Sequence, residues 1–167
     1  MRIMARQIEN NFRHFISGPV GVGKSTLARR LIESLGKTYA GFITERSECG
    51  FVLTDLLTGE TAPIAIRSKD GYDPVIESFE ELGVKSIREA INGDFPLLMD
   101  ELGRFELQAV DFCSLVLDVC SDYSPLVVVI KDERNRFLDE LRRIISPELI
   151  YLTESNREQV WKELVPQ

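Results

Sequence analysis

The chain has 167 residues, 44% of them hydrophobic and 28% charged. That length and composition exclude a disordered or fibrous chain and predict one globular domain over residues 1–167, with residues 1–10 as an N-terminal extension. Lys and Arg number 20 against 27 Asp and Glu, a net charge of −7. This is the wrong sign for a general nucleic-acid binder, so a phosphate-bearing partner has to be caught by a local positive site.

In chain order, Asn11 to Ser17 reads as a strand, and Gly18 to Gly23 breaks it. Ser25 to Leu35 has helical spacing, with Leu27, Leu31, Ile32 and Leu35 on one stripe, and Gly36 closes it. Tyr39 to Thr44 is a second strand. Phe51 to Leu57 and Thr61 to Arg67 flank Thr58-Gly59-Glu60 as a hairpin. Arg67 to Pro74 is polar and turn-like. Ser78 to Asn92 is helical, interrupted near Gly83. Phe95 to Met99 is a strand that ends in Asp100-Glu101. Val110 to Val119 is a helix, Leu126 to Ile130 a buried strand and Arg136 to Ile145 an amphipathic helix. Leu149 to Leu152 is a last strand and Ser155 to Leu164 a last helix. Strands alternating with helices predict an α/β, three-layer fold: a mainly parallel sheet flanked by helices, with an added antiparallel hairpin.

The longest apolar run, Leu126 to Ile130, is far short of the roughly 20 residues of a membrane span. Met1 to Asn11 has no apolar core of a secretory signal. Cys49, Cys113 and Cys120 are odd in number and lack Cys-x-x-Cys spacing, which predicts reduced thiols in the cytoplasm. Cys113 and Cys120 read as packing residues, as does Trp161 beside Val160 and Leu164. A single histidine, His14, supports neither a His-based triad nor a His metal site.

The chemistry lies in Gly18-Pro19-Val20-Gly21-Val22-Gly23-Lys24-Ser25, which fits G-x-x-x-x-G-K-[ST] between a strand and a helix. Converging backbone N–H groups need residues without side chains at Gly21 and Gly23. The helix after them points its positive end at the same place. Lys24 would reach the β- and γ-phosphates, and Ser25 would bind Mg²⁺. Asp100, ending a hydrophobic strand, would hold the Mg²⁺ shell, and Glu101 would orient an attacking water. Charge developing on the γ-phosphoryl group calls for further cations. Arg104 is the best-placed candidate, with Arg134, Arg136 and Arg157 as others. The window Lys131 to Arg143 holds five basic and four acidic residues and reads as a solvated, salt-bridged face.

Several separated segments resemble the THEP-type small P-loop nucleoside-triphosphatases. Besides the phosphate loop, these are Gly41-Phe42-Ile43-Thr44-Glu45, Gly50-Phe51 with Asp55 to Gly59, and Asn156-Arg157 after Thr153. Asp100-Glu101-Leu102-Gly103-Arg104-Phe105-Glu106-Leu107 is the most specific stretch. The resemblance covers Phe15 to Leu164. It implies Mg²⁺-dependent hydrolysis of nucleoside triphosphates to diphosphates with loose base preference. It also implies a nucleotide site made of Gly18 to Ser25 with Thr26 and of Leu98, Met99, Asp100, Glu101, Leu102, Gly103, Arg104 and Phe105. Asn156 and Arg157 join the expected nucleotide site on position alone, near the base or ribose, since ligands gather beyond the carboxyl ends of parallel strands. The expected catalytic set is Lys24, Glu101 and Arg104, and the metal set is Ser25 and Asp100. Arg104 replaces the family's Lys, and the Arg46-Ser47-Glu48-Cys49 connection is shorter than usual. A P-loop kinase acting on a small acceptor and a nucleotide-gated switch are the alternatives. A monomer without nucleic-acid or membrane partners is expected.

Overall fold

The computed structural model describes residues 11–166, so the expected extension at 1–10 lies outside the described residues. The elements run β1 (Arg13–Ser17), α1 (Lys24–Glu33), β2 (Ala40–Ser47), β3 (Gly50–Asp55), β4 (Thr61–Ser68) and β5 (Gly71–Pro74). After them come α2 (Ile76–Ser78), a π-helical turn (Phe79–Gly83) and α3 (Val84–Asn92), then β6 (Leu97–Leu102), α4 (Val110–Asp122), β7 (Leu126–Ile130), α5 (Arg136–Ile145), β8 (Leu149–Tyr151) and α6 (Arg157–Leu164).

The strands form one sheet in the order β5-β4-β3-β2-β6-β7-β1-β8. β2, β6, β7, β1 and β8 pair in parallel, and β3, β4 and β5 extend the sheet antiparallel. Alternation along the parallel strands feeds two cores, because successive side chains leave a strand on opposite faces. Phe15, Met99 and Val128 pack with Ile87 of α3, Phe112 and Val116 of α4, and Leu138 and Leu141 of α5. Ile16, Leu98, Val127 and Val129 pack with Leu27, Leu31 and Ile32 of α1. Buried on both faces, β7 reads Leu-Val-Val-Val-Ile without a polar residue. The result is the expected three-layer α/β architecture.

Three stretches differ from the sequence expectation. Arg67 to Pro74 is not a turn but the end of β4, a tight bend at Lys69 and Asp70, and the edge strand β5, with Arg67 paired to Tyr72. An edge strand is solvated, so its polar composition hides it. The helix over Ser78 to Asn92 is not broken at Gly83. It widens there into the π-helical turn, and a Cβ on Gly83 would meet the Phe112 ring at 2.8 Å. Finally, β6 continues through Asp100 and Glu101 to Leu102. Asp100 pairs with Val129 and Leu102 with Ile130, which leaves Glu101 as the extra residue of a bulge.

Candidate functional site

The site forms at the carboxyl ends of β1 and β6. After Ser17 the chain turns through Gly18, Gly21 and Gly23, with φ of +144°, +79° and +104°. At Gly18 the limit is space, since a Cβ would lie 2.2 Å from the Leu152 carbonyl oxygen. At Gly21 and Gly23 no heavy atom stands within 4 Å of a Cβ position. There the left-handed backbone favours glycine, and the concave side stays open. Val22 anchors the loop in the core beneath α1, while Pro19 and Val20 are exposed at its tip. Lys24, 7% exposed, folds back into the loop and donates to the carbonyls of Gly18 (2.7 Å) and Pro19 (2.9 Å).

α1 packs across β7 and β6. That crossing carries its first turn to the end of β6, where the Ser25 hydroxyl donates to Asp100 Oδ1 at 3.0 Å. The two expected metal ligands, 75 residues apart in sequence, therefore meet. Burial raises the Asp100 carboxyl above its ordinary range, opposed by the Ser25 hydroxyl and the charges of Arg29 and Lys24. Glu101 is half-buried, and its backbone N–H donates to Thr44 Oγ1 at 3.2 Å. Burial raises its carboxyl too, while Lys24 and Lys131 pull it down. A buried acid thus meets the first turn of α1, and a half-buried acid beside it feels the charges of Lys24 and Lys131.

Beyond Glu101 lies a cavity of about 90 Å³, lined by Thr44, Arg46, Arg104, Glu106 and Lys131 among others. Arg104 is exposed, stacks over the Phe105 ring at 5.2 Å and stands 3.8 Å from Glu133. Phe105 packs on Phe51 with ring centroids 5.2 Å apart. Gly103 gives its carbonyl to Asn135 Nδ2 and its N–H to Glu106 Oε1. Leu98, Met99 and Leu102 are core side chains that hold the strand carrying the acids.

Of the other arginines, Arg134 is bound to Asp139 at 2.6 Å, and Arg136 lines a groove between α4 and α5. The Asn156 side chain closes the loop before α6, accepting from the Thr153 N–H at 2.7 Å and donating to the Tyr151 carbonyl at 2.9 Å. Arg157 opens α6 beside Gly23 and Thr26. Trp161, expected in the core, stays half-exposed at its margin. Glu106 carries no sequence signal that sets it apart from its neighbours. Its burial at 3% exposure pushes its carboxyl up to about 7. Lys131, expected on a solvated face, lines the cavity instead, and its one signal is its place directly after β7.

Among the described residues no cluster of three or more His, Cys, Asp or Glu side chains could hold a metal ion, and no helix is long and apolar enough to cross a membrane. A family model described as NTPase matches residues 13–165. The nucleoside-triphosphatase THEP1 of Methanocaldococcus jannaschii is 32% identical, over 92% of this chain and 95% of its own. That of Ignicoccus hospitalis is 32% identical, over 89% and 91%. The crystal structure of THEP1 from Aquifex aeolicus superposes with a TM-score of 0.76 at 27% identity, covering 93% of this chain and 99% of that one. With its phosphate loop, its acid-tipped β6 and these relatives, the chain belongs to the NTPase family that includes the THEP1 nucleoside-triphosphatases.

Proposed function

We propose that this enzyme hydrolyses nucleoside triphosphates to the diphosphate and phosphate, with Mg²⁺ and loose base preference. The observation that carries this is the Ser25–Asp100 contact of 3.0 Å beside Lys24 and Glu101. Phosphate oxygens would be held by the backbone N–H groups of the loop and by the positive end of α1. Lys24 would exchange the Gly18 and Pro19 carbonyls for the β- and γ-oxygens.

The donors at the Ser25–Asp100 pair fit Mg²⁺, because a hydroxyl and a carboxylate are hard oxygen ligands. With no all-protein cluster among the described residues, the ion would complete its shell from phosphates and water. When bound, it supplies charge neutralisation on the β- and γ-oxygens. Glu101 would accept a hydrogen bond from the attacking water and take its proton as the new oxygen–phosphorus bond forms. The bond from the γ-phosphorus to the bridging oxygen breaks, and the diphosphate leaves with that oxygen. Burial supports this role by making Glu101 a stronger base than an exposed carboxylate. Arg104, in the cavity that Glu101 lines, would add positive charge near the γ-phosphoryl group. Cys49, Cys113 and Cys120 are free thiols, which fits the reducing cytoplasm we propose as its location.

The test is phosphate release from ATP, GTP, CTP and UTP with Mg²⁺ and no added acceptor, beside Lys24→Ala and Glu101→Gln. Release from all four that Glu101→Gln abolishes while nucleotide still binds is the expected result. Phosphoryl transfer that appears only with an added acceptor overturns hydrolysis in favour of a kinase. Full activity in Glu101→Gln removes that residue from the mechanism.

A further inference from the structure

Two grooves adjoin the first turn of α1, and they differ in character. One is lined by Ser25, Arg29, Arg30 and Glu33 and is charged. It lies on the side of Asp100, whose carboxylate feels Arg29. The other, of about 280 Å³, opens toward β8 and α6. Its walls are apolar, from Val22, Leu27, Leu152 and the half-buried Trp161. Gly23 and Thr26 floor it and belong at the same time to the phosphate loop and its helix. Arg157 and Glu158 stand exposed at its rim.

The polarity of the site orients a substrate. Asp100 and Glu101 mark the end where the γ-phosphoryl group reacts. A triphosphate held in the loop with its γ end there sends its nucleoside the opposite way, toward β8 and α6. An apolar groove with an aromatic wall lies there, continuous with the phosphate loop through Gly23 and Thr26. We infer that this groove is the nucleobase subsite and that Trp161 stacks on the base. The inference rests on the hydrolase reading for the direction of the triphosphate.

The chemistry of this groove also sets its selectivity. Every base has a π-face, so an indole wall accepts purines and pyrimidines alike. Sharp discrimination needs buried polar groups that the wrong base leaves unpaired. Here the polar side chains are a rim cation, a rim anion and the Thr26 hydroxyl, all exposed to solvent, which penalise no pattern of donors and acceptors. The groove therefore takes a nucleoside triphosphate as a class. Trp161 is a specificity-neutral affinity residue and does not touch the reacting atoms.

Trp161 is the only tryptophan of the chain, so its fluorescence reports on the groove alone. The experiment titrates the full protein with Mg²⁺ and each of ATP, GTP, CTP and UTP, and separately with inorganic tripolyphosphate. All four nucleotides should change the indole emission. Tripolyphosphate should leave it unchanged while inhibiting as a competitor for the phosphate loop. Trp161→Ala should raise KM for every nucleotide by about tenfold at unchanged kcat. The tripolyphosphate inhibition constant should stay the same, and Trp161→Phe should restore most of the affinity. An emission that responds no more to the four nucleotides than to tripolyphosphate overturns the inference, as does a Trp161→Ala variant that weakens tripolyphosphate as much as ATP. Phosphate release by the unaltered protein judges the hydrolase reading separately. Turnover with an emission that none of the four nucleotides changes rejects the subsite alone.

Discussion

Glu106→Gln tests whether a buried carboxyl behind the site makes stability depend on pH. Glu106 is 3% exposed, and burial sets its pKa at about 7 in the folded chain against an ordinary 4.5. Hydrogen bonds from the backbone N–H groups of Gly103 and Glu106 oppose that rise, and the charges of Glu101 and Glu133 add to it. Below pH 4.5 both folded and unfolded chains hold the proton, and the group has no effect. Between pH 4.5 and about 7 the unfolded chain releases it while the folded chain keeps it, so stability falls as pH rises. Above pH 7 the full difference applies, about 3 kcal/mol at roughly 1.4 kcal/mol per pKa unit. Glutamine still offers Oε1 to the Gly103 N–H but carries no charge. Its amide donors add a cost that does not vary with pH. The readout is therefore the difference in urea unfolding free energy between variant and parent at several pH values. It should shift in the variant's favour by about 3 kcal/mol across the window. A difference that stays flat from pH 4.5 to above 7 refutes the reasoning.

Asp55→Ala should destabilise the chain by about 4 kcal/mol or more in urea unfolding, because four donors lose a charged acceptor. Those donors are the Leu57 and Thr58 N–H groups at 2.9 and 2.8 Å, the Thr58 hydroxyl at 3.0 Å and the Ser86 hydroxyl. Burial alone would raise the Asp55 carboxyl, but these hydrogen bonds together hold it below 3.8. Its contribution is thus complete above pH 3.8 and is lost as pH falls through the lower folded value, which an acid titration of the melt will show. Gly41→Ala places a Cβ 2.0 Å from the Leu98 carbonyl oxygen at φ +111°, so β2 and β6 must separate. A loss of about 3 kcal/mol or more, with weakened nucleotide binding, is expected in thermal melts and binding titrations. Ser25→Ala removes one of the two paired oxygen donors. It should raise the Mg²⁺ concentration needed for half-maximal phosphate release at least several-fold and leave the melting temperature within a few degrees of the parent.

The phosphate loop was legible in the sequence because its demands are local. Gly21 and Gly23 answer backbone conformations of consecutive residues, and the strand before them and the helix after them are set by short-range pattern. The five-residue apolar run of β7 announced a strand covered on both faces for the same reason. An acid at the end of an apolar strand was readable as well. That Asp100 meets Ser25 was not, since it requires α1 to cross β7 and β6 and bring together groups 75 residues apart. β5 stayed hidden because an edge strand in solvent needs no apolar alternation. The bulge at Glu101 was equally invisible, since only the register against β7 defines it. Trp161 looked like a core residue because composition cannot tell a buried wall from a half-open one. Its groove exists only where the segment after β8, α6 and the first turn of α1 come together, so local pattern set the glycine loop between β1 and α1, and long-range packing decided what surrounds it.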